Sequence, residues 1–209
     1  MAHHRRDAQR VRILLAQECA RLMADEGIPD FRTAKRKAAL RLAIANKALL
    51  PDNREIEQAL FNHQRLFHAD RQALRLRDLR EAALDAMRFL ARFRPRLVGS
   101  VLSGTAGPSA DIQLHLFADT PQEVALFLME HRIPFKAADH RLKLSNGDSA
   151  CLPVFRFGMG NHDLNLTVLT PLSEREAPLS PVDGRPMRRA GLAEVQALLA
   201  RLDRDEDPV

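Results

Sequence analysis

Gly99-Ser100 and, further along the chain, Asp111-Ile112-Gln113-Leu114 are residues whose types and spacing could do chemistry. Residues 110–117 alternate strictly. Asp111, Gln113 and His115 therefore share one face of a predicted strand, and Ile112, Leu114 and Leu116 share the other. A carboxylate and an amide two residues apart on a strand point the same way. Both offer hard oxygen of the kind Mg²⁺ accepts, but the amide brings no negative charge. A second alternating run, residues 163–169, sets Asp163, Asn165 and Thr167 against Leu164, Leu166 and Val168. Glycine at 99 would let backbone and the Ser100 hydroxyl come close to a ligand.

A Gly-Ser turn after a long helix, followed by an alternating strand that carries an acid, resembles the signature of the DNA polymerase beta-like nucleotidyltransferases. In that family the strand reads Asp-x-Asp/Glu. The resemblance covers about residues 75–170 and includes the preceding helix and the strand-helix order that follows. The whole chain, with its Pro181-Val182-Asp183-Gly184-Arg185-Pro186 stretch, is also similar to bacterial nucleotidyltransferase-like proteins. The resemblance implies transfer of a nucleoside monophosphate from a nucleoside triphosphate to a hydroxyl on RNA, protein or a small molecule. Two metal ions stabilise such an in-line displacement. It also implies Gly99 and Ser100 at the triphosphate, Asp111 on Mg²⁺, and a third ligand, Asp163 or Asn165, from the neighbouring strand. The chain departs from the pattern twice. Gln113 stands where the second acid belongs, and Ser109 is separated from Asp111 by Ala110. A neutral amide at 113 tilts the electrostatics towards one metal or none.

Two functions stay open. In the first, Asp111, Gln113, Asp163 and Asn165 form a catalytic set with Mg²⁺ and a nucleoside triphosphate. In the second, catalysis is lost and the domain binds a nucleotide, a nucleic acid or a protein partner. Plainer readings also exist: Gly99-Ser100 as a strand-end turn, and Asp111, Gln113 and His115 as a solvated strand face. His115 and His162 have no close His or Cys partner in sequence, so no zinc site is expected. Arg185, Arg188 and Arg189 could clamp phosphate or belong to a solvated linker.

The elements that must position these residues fall into two periods. Helical period covers about 7–26, with Val11, Leu15, Cys19 and Leu22 on one face and Gly27 as stop. Asp30 can cap a helix over 31–46. Asp52 and Glu55 have capping-box spacing for a third, with Ile56, Ala59, Leu60 and Phe67 in register. Asp70 can cap a fourth that reaches Phe93, before Pro95. Strands are then predicted at 97–102, 110–117, 141–145, 151–157 and 163–169, with a helix over 121–131. Asn146-Gly147 is a hairpin turn signal. Four prolines in 171–186 suggest an extended connection before a helix at 191–203. The expected class is α+β: a helical region at 1–68, a nucleotidyltransferase-like α/β domain with a mixed sheet at 69–172, and a tail at 173–209 that ends in a short helix.

Composition sets the frame. At 209 residues and 45 % hydrophobic the chain can bury a sizeable core. Without Trp or Tyr, ten Phe carry the large aromatic burial. Two cysteines are too few for a disulfide scaffold, and no stretch approaches a membrane span or a signal core. A cytoplasmic location without membrane contact is the expectation; no oligomeric state follows. Residues 1–98 hold 21 Lys/Arg against 12 Asp/Glu, a net of +9, while residues 99–209 net −4. The basic half, with Lys35, Arg36 and Lys37 on one helix, invites RNA or another anionic partner, or is simply a solvated arginine-rich surface.

Overall fold

The computed structural model describes residues 2–145 and 147–205, and the side chains of residues 7–145 and 147–202. Asn146, half of the expected hairpin turn, and the acidic end of the chain lie outside the described residues. The chain divides into two compact units. The first takes the residues up to Gln72 together with Thr105–Ala110 and Pro181–Asp183, and the second takes Ala73–Gly104, Asp111–Ser180 and the chain from Gly184 on. The fold is α+β, with a mixed sheet.

The first unit is built on α1 (Ala2–Asp25), α2 (Phe31–Arg41) and α3 (Asn53–Phe67). Leu15, Cys19 and Leu22 of α1 are buried against Ala34 and Ala38 of α2 and Ile56 and Leu60 of α3. Asp30 accepts from the Thr33 amide at 2.8 Å, and Asp52 and Glu55 close a reciprocal capping box. Two sequence expectations need correction here. The second helix stops at Arg41 instead of 46. Ala43 takes a left-handed conformation (φ 51°), the Ile44 amide returns to the Ala39 carbonyl at 2.9 Å, and the Ala43 amide returns to Leu40 at 3.2 Å. That is a Schellman end, hidden because alanine occupies the position glycine usually marks. Phe67 is not core: it is 67 % exposed, and the inward row of α3 runs through Ile56, Leu60 and Gln64.

The second unit combines α4 (Ala69–Phe89) from Ala73 onward, β1 (Arg96–Val98), α5 (Gly99–Ser103), β2 (Ile112–Phe117), α6 (Pro121–Glu130), β3 (Lys136–Lys143), β4 (Ser149–Met159), β5 (His162–Leu169) and α7 (Leu192–Asp205). Asp70 lies inside the first turn of α4 rather than capping it. The helix gives way after Phe89 to a short 3₁₀ turn, Ala91–Phe93, that leads to left-handed Arg94. The strand expected over 97–102 ends at Val98, because Gly99 turns the backbone (φ +73°) into α5. β3 begins earlier than expected, at Lys136.

The sheet order is β1-β2-β5-β4-β3; β2 and β5 run parallel and the other neighbours are antiparallel. One face is apolar. Leu97, Ile112, Leu114, Leu116, Leu164, Leu166, Phe155 and Phe157 are all buried there, as alternation requires. Phe89 and Phe93 meet Phe127 of α6, with ring centroids 5.0 and 5.4 Å apart. The C-terminal segment joins the sheet edge: Leu97 and Ala190 exchange backbone hydrogen bonds at 2.9 Å.

Candidate functional site

The opposite face of the same sheet is polar, and there β2 and β5 set their chemistry side by side. Parallel pairing places Gln113 opposite Asn165 and His115 opposite Thr167. Asp111, one residue before β2, turns its carboxylate towards both amides. Its Oδ1 accepts from Gln113 Nε2 at 3.0 Å, and its Oδ2 accepts from Asn165 Nδ2. Asp111, Gln113 and Asn165 are each half-buried. They line a pocket of about 150 Å³ together with His115, His140 and Arg156. Val98, Leu142, Val154 and Met187 supply its apolar wall.

Glycine suits position 99. Its φ of +73° disfavours any side chain, and a Cβ there would come within 2.7 Å of Gln113 Oε1. The turn therefore abuts the Gln113 amide. Ser100 is half-buried and does not line the pocket; its carbonyl accepts from the Gly104 amide at 2.9 Å within α5. Asp163 is exposed, sits opposite Gly158 of β4, and is also outside the pocket lining. The structure thus brings together Asp111, Gln113, Asn165 and Gly99, and leaves Ser100 and Asp163 apart from them.

One further pocket residue, His140, was obscured in the sequence by a strand boundary. With β3 taken to begin at 141, His140 falls outside a strand; β3 in fact spans it. Arg156 alternates with buried Phe155 and Phe157 and so had to face the polar side. His115 reads as a solvated residue but is 2 % exposed. Burial, reinforced by Arg189 and His140, pushes its pKa down to about 3, so the ring is neutral at ordinary pH. Its Nδ1 is buried with no hydrogen-bond partner among the described residues.

Of the three C-terminal arginines, Arg185 and Arg188 are exposed, and Arg189 is half-buried over Phe117, 5.5 Å from the ring centroid. Arg189 Nη1 donates to the Ser173 carbonyl at 2.8 Å. Burial lowers its pKa, with Arg96 adding to that effect and Glu174 opposing it.

In the first unit, Asp25, His63 and His68 place one carboxylate oxygen and two imidazole nitrogens within 4.8 Å of one another, a group that could hold a metal ion. The sequence reading expected no such cluster, because Asp25 is remote in sequence from the two histidines and only α1–α3 packing brings it near them. On α2, Lys35 is half-buried while Arg36 and Lys37 are exposed. Among the described residues no helix is long and apolar enough to cross a membrane. Comparisons of the chain with protein-family models, curated proteins and solved structures found no match.

Proposed function

We propose that the second unit is a nucleotidyltransferase-like domain that binds a nucleotide in the polar-face pocket without performing two-metal nucleotidyl transfer. Asp111 carries this reading. It is the one carboxylate among the residues lining the pocket, and amide hydrogens of Gln113 and Asn165 address both of its oxygens. A single negative charge is poor compensation for two divalent ions held a few ångströms apart. The same arrangement suits a neutral polar ligand group. Asp111 can accept from a ribose hydroxyl or an exocyclic amine, the two amides can reorganise to donate or accept, and Arg156 offers a cation for phosphate at the rim. Neutral His115 adds a polar atom without charge.

The volume narrows the fit. About 150 Å³ is below the roughly 300–1,000 Å³ of pockets that enclose a whole small ligand. One moiety of a nucleotide enters, and the remainder lies along the surface. Exposed Arg36 and Lys37 on α2 support a separate anionic partner, RNA, for the first unit.

Calorimetric titration with each of the four ribonucleoside triphosphates, with and without Mg²⁺, tests the reading, beside an assay for transfer of label from the α-phosphate. Saturable binding that Asp111→Ala weakens about tenfold or more, with no label transferred, is expected. Absence of binding by every nucleotide removes the ligand class. Transfer at ordinary enzymatic rates restores the catalytic alternative.

A further inference from the structure

Asp25 is the last residue of α1, His63 lies in the last turns of α3, and His68 is the residue that caps α3. α1 packs against α3, with Leu22, Ile56 and Leu60 in one buried cluster, so the three side chains converge on a packed framework. Both imidazoles turn Nε2 to the same oxygen, Asp25 Oδ1, at 3.3 Å for His63 and 3.0 Å for His68. Their rings stand 5.7 Å apart, and the His63 ring also packs 4.9 Å from Phe67. That contact gives exposed Phe67 a local role in fixing the ring.

We infer that Asp25, His63 and His68 form a mononuclear site for a borderline divalent metal of the Zn²⁺ class. It lies in the first unit and is independent of the nucleotide reading above. Geometry comes first. Ligand atoms around a tetrahedral zinc at 2.0–2.1 Å are about 3.3 Å apart; the two N···O separations, 3.0 and 3.3 Å, match that spacing, and all three ligand atoms lie within 4.8 Å of one another. Each ring can move its proton to Nδ1 and free the Nε2 lone pair, so the ion replaces two N–H···O contacts with two N–metal bonds. Donor chemistry comes second. Two imidazoles and one carboxylate favour Zn²⁺, Co²⁺ or Ni²⁺, and disfavour Mg²⁺ and Ca²⁺, which take oxygen.

The surroundings fit that assignment. Arg21 Nη1 lies 3.9 Å from Asp25 Oδ2, the oxygen the histidines do not use, and so orients the carboxylate from outside. Arg21 is itself bound to Glu18 at 2.9 Å, with Glu26 at 3.5 Å, which offsets its charge at the site. The three ligating side chains retain 18 %, 28 % and 35 % exposure for His63, His68 and Asp25. Solvent therefore reaches the ion, and with three protein ligands its fourth position is open to water or another donor.

The test uses the full chain, freed of metal by chelation and titrated with Zn²⁺ in a calorimeter. One equivalent should bind, and a 50-fold excess of Mg²⁺ should not displace it. His63→Ala and His68→Ala should each weaken binding about tenfold or more. His162→Ala should not, although His162 also pairs with an acid, Asp78, at 3.3 Å. A background variant with His3→Ala and His4→Ala should keep the stoichiometry, which separates the site from an N-terminal histidine pair. Should either ligand variant fail to fold by circular dichroism, the unmodified chain still decides. Long-range ¹H–¹⁵N spectra of the histidine rings should then show Nε2 of His63 and His68 moving to metal-bound values at one equivalent. Loss of zinc binding only in His162→Ala, ring shifts confined to other histidines, displacement by Mg²⁺, or no binding at all would each overturn the assignment.

Discussion

Gln113→Glu is the most informative single change, because the structure fixes what it does to Asp111. The Gln113 amide donates to Asp111 Oδ1 at 3.0 Å across a half-buried site. Glutamate removes the donor and sets a second carboxylate at that separation. A hydrogen bond to a charged acceptor contributes roughly 1.5–3 kcal/mol. Two like charges about 4 Å apart cost from about 1 kcal/mol in water to about 4 kcal/mol near a protein surface. The groups are partly solvated and can turn apart, so a net loss of about 2–4 kcal/mol is expected at pH 8. For a unit of this size that lowers the melting temperature by roughly 5–15 °C. The pair in the variant holds a proton more tightly when folded than when unfolded. Its stability therefore recovers as pH falls, and the loss is fully present only at the high-pH end. Mn²⁺ should also restore it, since a divalent ion between two carboxylates converts repulsion into ligation. Thermal melts of parent and variant at pH 5 and pH 8, with and without Mn²⁺, provide the measurement. A variant as stable as the parent at pH 8 would refute the Gln113–Asp111 contact. Equal stabilisation of both by Mn²⁺ would refute a vestigial metal position between β2 and β5.

Three further outcomes follow from particular residues. Gly99→Ala should destabilise the second unit by about 1–3 kcal/mol in urea titration, because φ is +73° and the new Cβ meets Gln113 Oε1; Gln113→Ala in the same chain should recover part of that loss by removing the obstructing atom. His115, with its pKa pushed down to about 3, binds a proton more readily when unfolded, so its contribution is present above about pH 6.5 and is lost as pH falls towards 3. His115→Leu should therefore flatten the acid limb of the stability profile relative to the parent, and superimposable acid limbs would contradict burial of a neutral ring. Charge reversal of Lys35, Arg36 and Lys37 should weaken RNA binding and make its salt dependence less steep, measured by fluorescence anisotropy between 50 and 200 mM salt; binding that is indifferent to salt in the parent would return α2 to a solvated surface.

The helices were legible because their signals are local. Asp30, Asp52 and Glu55 announced their caps, and the row of Leu15, Cys19 and Leu22 announced the buried side of α1. Boundaries failed where geometry replaced composition: Ala43 ends α2 in a conformation that its residue type does not advertise, and Gly99 opens a helix where an apolar run promised strand.

Alternation in the sequence determined that Asp111, Gln113 and His115 share a face, and that Asp163, Asn165 and Thr167 share another. It could not determine that the two faces coincide. Parallel pairing of β2 with β5 decides that, and its register sets Gln113 against Asn165 instead of Asp163. Tertiary burial also made His115 a neutral core residue, although its neighbours in sequence read as a solvated face. Asp25, His63 and His68 show the same division most plainly. Their residue types are visible in the chain, but their convergence depends on how α1 packs against α3, because a side chain's nearest partners are set by contacts between elements and not by distance along the sequence.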